Sequence, residues 1–232
     1  MRYVTKFLGE HGFAAAQQGS FKFGTLEEYR SSESGHSRMS DDREGVATED
    51  FQFTEGRADD VTIGGIRILN CNFEGNKIDF RRETQSNAFV ACCSFGPYDR
   101  STHIKIIKGQ GEYQGNDDLG YYVVYDLGKL SVALHDWAAR NFRCNVKLRG
   151  EQVRYAERAV HEEIGVIGSV PSQPSRDAIW NAIFVKPRFY SIENEFRFAL
   201  FPEKLDFTNG KWLSIFAESR AIQSAICQTG RI

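Results

Sequence analysis

The carboxylates of Glu193 and Glu195 are the side chains whose type and spacing most directly suggest chemistry. They lie in the segment FVKPRFYSIENEFRFAL, residues 184–200, in which Arg197 follows after a further two positions. Residues two apart in an extended strand point to the same face. If this segment is extended, the three charged side chains share one face and the two phenylalanines of FRF share the other. The pattern therefore predicts a core face and a face that holds a site.

Two carboxylates at this spacing would lie about 7 Å apart on a strand, close enough to contact one substrate. Glu195 could bind a ribose hydroxyl and stabilise positive charge that develops at a sugar carbon, while Glu193 positions or deprotonates a nucleophile. Tyr190 lies just before the pair and belongs to the same candidate site. The alternative interpretation is an amphipathic strand with a solvated acidic face.

A second candidate is the polar segment YRSSESGHSRMSDDREG, residues 29–45, which begins with Tyr29. Its arginines, Arg30, Arg38 and Arg43, are interleaved with Ser and Gly and could form a cradle for a pyrophosphate or a nucleic-acid backbone. Its position after a predicted strand suits a loop that covers a ligand. A solvated loop without a ligand is the alternative interpretation.

A third candidate is Ser94, which follows Cys92 and Cys93 at the end of an apolar run. A catalytic cysteine needs a base within reach, and neither His103 nor His161 is placed by the sequence to supply one. We therefore expect a role for the Ser94 hydroxyl instead, as a hydrogen-bonding group for a ligand or for a catalytic carboxylate.

The histidines form no recognised metal-binding pattern, so the sequence predicts no metal site. Asp41, Asp42 and Glu44 are the remaining acidic cluster that could serve a nuclease. The five cysteines are scattered without a C-x-x-C pair, which predicts reduced and mostly buried thiols.

The charge balance and the hydropathy pattern limit the partners. With 29 basic and 31 acidic residues the formal net charge is -2, so bulk attraction to nucleic acid or to an anionic membrane is removed, although a local basic patch is compatible with it. No apolar run approaches the roughly 20 residues that cross a bilayer. The N-terminal residues lack the pattern of a signal peptide. We expect a cytoplasmic protein without a membrane partner.

The elements that must position these residues indicate an α+β fold with mixed, mostly antiparallel sheets and short helices, in a single domain over residues 1–232. The polar tract of residues 27–53 is predicted to be a long loop, and residues 153–168 fit either a strand or a short helix. Strands are predicted at YVTKFL, FKFGTL, NAFVACCSFG, YYVVYDLGKL, FRFALF and KWLSIF, with hairpin strands within VTIGGIRILNCNFEGNKIDF. Helices are predicted at GEHGFAAAQQGS, closed by Gly19, at KLSVALHDWAARNF and from Ser175 to about Ile183.

The order of these motifs resembles a widespread bacterial family of domains found near phage-defence genes. The resemblance is carried by YVTKF, FKFGTL, EEYR, DDREG, CCSFG and a final K-P-x-x-Y-x-x-E-x-E-x-R, and it covers roughly residues 2–199. That family looks like a distant branch of the ADP-ribosyltransferase fold. The resemblance thus implies an ADP-ribosyltransferase-like fold and NAD as a co-substrate.

The resemblance also implies which residues would contact NAD. Thr5 or Lys6 would hold it from the first strand. Tyr29 and Arg30 would form the NAD-contacting loop, and Ser94 would match the strand-end serine of the family. The first strand lacks the histidine and the chain lacks the S-T-S triplet of the named subclasses.

Glu195 would be the catalytic glutamate, with Glu193 completing the E-x-E pair and Tyr190 among the NAD contacts. The function implied is an ADP-ribosyltransferase toxin of phage defence or of a toxin–antitoxin pair, whose partner would be an antitoxin protein. The acceptor would be nucleic acid, with RNA slightly favoured over DNA, or protein. The alternatives are a non-catalytic module that senses a nucleotide or a phage protein, and an NADase effector.

Overall fold

The computed structural model describes residues 2–30, 45–53, 56–63, 66–73, 78–85, 88–110, 115–142, 146–156, 159–164, 176–202 and 214–232. The predictions for Asp41, Asp42 and Glu44, and for Arg38 and Arg43, fall outside these ranges.

The helices and strands of the described chain follow one another in this order. They are β1 (Tyr3–Leu8), α1 (Glu10–Gln17), β2 (Ser20–Thr25), α2 (Leu26–Arg30), β3 (Val46–Phe53), β4 (Gly56–Ile63), β5 (Ile66–Phe73), β6 (Ile78–Gln85), β7 (Phe89–Phe95), α3 (Arg100–Lys108), β8 (Tyr121–Asp126), α4 (Leu127–Asn141), β9 (Val146–Gln152), β10 (Arg154–Tyr155), β11 (Ala159–Ile164), α5 (Arg176–Phe184), β12 (Val185–Lys186), a 3₁₀ helix (Arg188–Glu193), β13 (Glu195–Pro202), β14 (Ser214–Glu218), α6 (Arg220–Ser224) and β15 (Ile226–Arg231).

These elements form two compact units. The first comprises Met1–Glu44, Asn87–Ala156 and Lys186–Ile232, and the second comprises Gly45–Ser86 and Glu157–Val185. The α+β class with mostly antiparallel strands is confirmed, and the single domain expected over residues 1–232 stays a prediction.

The first unit contains a sheet in the order β14-β2-β7-β1-β8-β15, with β13 pairing with both β7 and β9. All of these pairings are antiparallel. On one edge of β7, the described residues pair with β2 at Phe89 and Val90 and with β1 at Ser94 and Phe95. The sheet therefore splits between β1 and β2, alongside the middle of β7.

The core of this unit lies between the sheet and α4. The buried residues of α4 recur at helical spacing, which gives the helix one apolar face; they are Leu130, Ala133, Leu134, Trp137 and Ala138. The Asp126 carboxylate caps the start of the helix by accepting a hydrogen bond from the Lys129 N–H at 3.0 Å. Phe196 and Phe198 of β13 belong to this core, so the predicted apolar face of the FRF segment is confirmed.

The second unit contains a sheet in the order β11-β3-β6, in which β3 pairs with β11 in parallel and with β6 antiparallel. Ala178 and Ala182 of α5 pack against Ala47 of β3. The predicted hairpin is present as the antiparallel pair β4 and β5. Residues 46–53 are thus a central strand, and their prediction as part of a long loop is wrong because pairing on both edges outweighs their polar composition.

Most other predicted elements are present, with two local differences. Residues 26–30 form α2 at the start of the tract predicted as a loop, and residues 188–193 form a 3₁₀ helix where an extended chain was considered. The ambiguous residues 153–168 are strands where they are described, in β10 and β11. Within the described residues, no helix has the length and apolar character needed to cross a membrane.

Candidate functional site

Glu193 and Glu195 are brought together by a change of backbone conformation and not by a continuous strand. Pro187 precedes the 3₁₀ helix, which ends at Glu193, and Asn194 then adopts a left-handed conformation with φ 42° and ψ 51°. The Asn194 side chain stabilises this conformation by donating from Nδ2 to the Phe95 carbonyl at 2.7 Å. The strand β13 starts at Glu195 immediately afterwards. The predicted extended geometry is therefore wrong at Glu193, but the two carboxylates still meet.

The meeting point of the two carboxylates is the ammonium of Lys186. Its Nζ lies 2.8 Å from Oε2 of Glu193 and 3.0 Å from Oε2 of Glu195. Arg197 pairs with the other oxygen of Glu195, with Nε 2.6 Å from Oε1. These residues are at most 6% exposed. The alternative of a solvated acidic face is therefore wrong, and we call these four residues the buried charge cluster.

The two carboxylates of the buried charge cluster differ in proton affinity. Burial alone would raise the pKa of Glu195, but the Arg197 guanidinium and the Lys186 ammonium outweigh burial and hold that pKa well below its usual range. Burial raises the pKa of Glu193 to about 7, because the Lys186 ammonium offsets burial only in part and the charge of Glu195 opposes a second negative charge. Glu195 is therefore ionised at neutral pH, while Glu193 exchanges a proton there.

Oε1 of Glu193 is a buried oxygen that has no hydrogen-bond partner among the described residues. Buried polar atoms in folded proteins almost always have a partner, and leaving one unsatisfied costs about 1–3 kcal/mol. An unsatisfied carboxyl oxygen at the wall of a cavity is thus a candidate acceptor for a ligand.

Cys92 and Tyr29 lie close to the cluster. The side chain of Cys92 interacts with the Glu195 carboxylate, and that of Tyr29 interacts with Cys92. Burial, with the nearby charge of Glu195, raises the pKa of the Cys92 thiol far above its usual range. Since the thiolate is the nucleophile, this side chain is suited to hold Glu195 in place and not to attack a substrate.

A cavity of about 460 Å³ lies beside the cluster, with all its lining residues in the first unit. It includes the region where β1 and β2 separate, and Lys6 of β1 reaches from there to the Cys92 carbonyl at 3.4 Å. The polar lining residues are Lys6, Ser20, Lys22, Tyr29, Cys92, Cys93, Ser94, Asn116, Lys186, Glu193, Glu195 and Arg197. A volume of this size is within the range of about 300–1,000 Å³ that small-molecule sites occupy.

Some of the residues predicted to contact a co-substrate line the cavity, and others do not. Lys6 and Tyr29 line the cavity. Thr5 does not, since it is 1% exposed and its hydroxyl donates to the Gly96 carbonyl at 3.0 Å. Ser94 lines the cavity, but its hydroxyl donates to the backbone carbonyl of Glu193 at 2.6 Å. The side chain of Arg30 lies outside the described part of the chain.

The ring of Tyr190 packs against the Lys186 ammonium of the buried charge cluster. The Lys186 ammonium lies 4.4 Å from the centre of its ring, close enough for a cation–π interaction. Tyr190 is 7% exposed, and the cavity lining does not include it. Tyr190 is thus a neighbour of the charged residues, and its contact with a co-substrate stays a prediction.

Sequence reasoning gave no role to two residues that hold the site together. Lys186 is the first residue of the K-P-x-x-Y motif, and a lysine next to a proline and seven residues before an acidic pair was the available signal. The Tyr155 hydroxyl accepts a hydrogen bond from the backbone N–H of Glu195 at 2.7 Å. Tyr155 lies in the segment whose structure the sequence left open, so no local signal marked it.

His103 is a structural residue. It is fully buried, and its Nε2 lies 2.6 Å from the Leu119 carbonyl, to which it donates. Its ring stacks on Phe7 with 4.4 Å between ring centres. The prediction that His103 supplies no base for Cys92 agrees with these contacts.

The parts of the chain that the structure describes contain no group of three or more His, Cys, Asp or Glu side chains arranged for a metal ion. Comparisons with models of known protein families, with curated proteins and with solved structures found no match for this chain.

Proposed function

We propose that this protein is an NAD-dependent ADP-ribosyltransferase of the bacterial toxin type, with an ADP-ribosyltransferase-like fold. The observation that carries the proposal is the pair of carboxylates at the wall of a cavity large enough for a small ligand, one ionised and one with an unsatisfied oxygen. The split of the sheet between β1 and β2 supports it, because it opens the cavity beside the strand end that carries Ser94.

The chemistry of the lining residues fits NAD as a substrate. Oε1 of Glu193 can accept a hydrogen bond from a ribose hydroxyl, which would satisfy that oxygen. Lys6 has three N–H donors, of which the Cys92 carbonyl takes one, so its ammonium can also attract a diphosphate. Tyr29 adds an aromatic wall near Glu195.

Glu195 supplies fixed negative charge in the proposed reaction. As the bond between nicotinamide and ribose breaks, positive charge develops at the sugar carbon, and a preorganised carboxylate stabilises it without rearrangement. Arg197 and Lys186 keep Glu195 ionised and in place, although they also offset part of its charge. Glu193 then assists the acceptor, because its carboxyl group exchanges a proton near neutral pH.

The acceptor we favour is RNA. The support is the arginine-rich tract of residues 30–43, since the planar guanidinium group of arginine can donate two hydrogen bonds to one phosphate. DNA and protein are the other acceptor classes. The setting we propose is phage defence or a toxin–antitoxin pair in the cytoplasm, in which an antitoxin protein neutralises the enzyme.

The experiment that tests the proposal is incubation of the purified protein with NAD labelled in its adenylate phosphate. Total RNA, DNA and lysate protein are supplied separately. Label in one fraction supports the transferase and identifies the acceptor class, and label in the RNA fraction supports the favoured acceptor. Free nicotinamide without transfer supports the NADase alternative, and no turnover by folded protein contradicts both enzymatic functions.

The binding module is the second candidate, and the complete pairing of Glu195 favours it. Both oxygens of that carboxylate contact cations, as in an ion cluster that stabilises a recognition surface. In this function the cavity binds a nucleotide or part of a phage protein without chemistry. Saturable binding of NAD or ADP-ribose without turnover would support the module over the enzyme.

A further inference from the structure

Lys186 is the residue of the buried charge cluster that both carboxylates share. It lies at the end of β12, where its carbonyl accepts a hydrogen bond from the Ala156 N–H at 3.0 Å. Lys186 is 5% exposed, and its ammonium contacts both glutamates and the ring of Tyr190. The backbone, the ring and the two carboxylates thus fix one ammonium between two acids.

Glu193 and Glu195 differ in their salt-bridge partners among the described residues. Glu195 pairs with Arg197 as well as with Lys186. Glu193 has Lys186 as its salt-bridge partner among the described residues, through Oε2. Removal of the Lys186 charge would therefore leave Glu195 with one cation and would leave Glu193 beside a negative charge. Two carboxylates that share a site without sufficient positive charge cannot both ionise.

The other charged and titratable groups around Glu193 are few. Glu195 faces it from β13, where Arg197 pairs with Glu195, and Tyr155 faces it from β10. Cys92 and Tyr29 act on it through Glu195. The helix α3 packs against the 3₁₀ helix, but its His103 is turned to Leu119 and its basic side chains, Arg100, Lys105 and Lys108, are exposed. Lys186 is thus the cation in direct contact with Glu193.

We infer that Lys186 is a positioning residue that holds Glu193 beside Glu195 and sets the pH range in which Glu193 exchanges its proton. This inference deepens the proposed function, because Glu193 is the group proposed to assist the acceptor there. The contact between Lys186 and Glu193 does not depend on which ligand the cavity binds.

The test is a titration of the Glu193 carboxyl group by ¹³C NMR in protein labelled at the glutamate carboxyl carbons, with Glu193→Gln used to assign the resonance. Loss of the cation in Lys186→Met should move the midpoint upward by more than about one pH unit relative to wild type. The matched control is Lys6→Met, which removes a cation that lines the same cavity but bonds to the Cys92 carbonyl. Its midpoint should stay within about 0.3 pH unit of wild type, since no ion pair with Glu193 is lost.

An unchanged midpoint in Lys186→Met, or equal shifts in both variants, would overturn the inference. If Lys186→Met does not fold, a titration of the wild-type protein tests the inference instead. The ¹⁵N resonance of the Lys186 ammonium should then change with the same midpoint as the Glu193 carboxyl and lose that change in Glu193→Gln. Different midpoints overturn the inference.

The activity of the enzyme gives a separate readout. If NAD is turned over, Lys186→Met should displace the pH profile of kcat in the same direction as the NMR midpoint, and Glu218→Gln, at an exposed position outside the cavity lining, should leave the profile in place. Absence of turnover contradicts the proposed function, while the NMR titration still decides the role of Lys186.

Discussion

Arg197 Nε lies 2.6 Å from Oε1 of Glu195, and both side chains are at most 4% exposed, so this ion pair is buried. The pair lies on one strand, two positions apart, and faces away from the aromatic core that Phe196 and Phe198 enter. Desolvation makes a single buried charge costly, and the partner offsets that cost. The position of Glu195 at the cavity therefore depends on the cations around it.

Replacement of Arg197 by Gln should destabilise the protein by about 3–5 kcal/mol, because it leaves the charge of Glu195 with Lys186 alone. Chemical denaturation at pH 7 measures the change. The control is Arg149→Gln, which breaks the more exposed pair with Glu151 and should cost at most about 1 kcal/mol. Equal effects of the two substitutions would show that the buried pair contributes no more than an exposed one.

The raised pKa of Glu193 predicts how stability depends on pH. Between its ordinary value of 4.5 and about 7, the folded state binds a proton that the unfolded state has released. The free energy of unfolding contributed by this group is therefore present below pH 4.5 and declines as pH rises to about 7. Urea denaturation across this range should show wild type losing stability relative to Glu193→Gln. Parallel curves for the two proteins would contradict the raised pKa.

The thiols should differ in their reaction with an alkylating reagent. Cys227 is exposed, whereas burial raises the pKa of Cys92 and raises that of Cys93 to about 11. Mass spectrometry of the native protein at about pH 7.5 should find Cys227 modified before Cys92 and Cys93, because reactivity follows exposure and the thiolate fraction. Modification of Cys92 as fast as Cys227 would instead support a reactive thiol at the cavity.

Tyr155→Phe should cost about 1–3 kcal/mol of stability, because it leaves the backbone N–H of Glu195 without its acceptor. The loss is expected without a change in secondary structure, and thermal denaturation followed by circular dichroism measures it. A variant as stable as wild type would mean that another group or a water takes the place of the hydroxyl.

Much of the framework around the site could be predicted from the sequence, because the apolar strands and the helix α4 follow clear periodic patterns. The alternation in EFRF correctly predicted that Glu195 and Arg197 share a face and that the phenylalanines enter the core. The position of Glu193 could not be predicted in this way, since it depends on the left-handed Asn194 after a 3₁₀ helix. Local periodicity contains no information on such a change.

The remaining site residues depend on contacts between distant segments. Ser94 was predicted to serve a ligand or a catalytic carboxylate, and its hydroxyl instead bonds to the Glu193 backbone, 99 positions away. Thr5 and Lys6 are neighbours in sequence, but the alternation of β1 directs only Lys6 to the cavity. The burial of the acidic face follows from two basic side chains, Lys186 and Arg197, whose partners are set by tertiary structure.

The most direct test of the proposed enzyme is the rate at which nicotinamide is released from NAD by wild type and by Glu195→Gln. The substitution keeps the shape of the side chain and removes its charge, so a reaction that depends on that charge should slow by roughly 100- to 1,000-fold. The exposed Glu218→Gln is the control and should retain the wild-type rate. A folded Glu195→Gln variant that releases nicotinamide as fast as wild type would contradict the role of Glu195 in an NAD-consuming site.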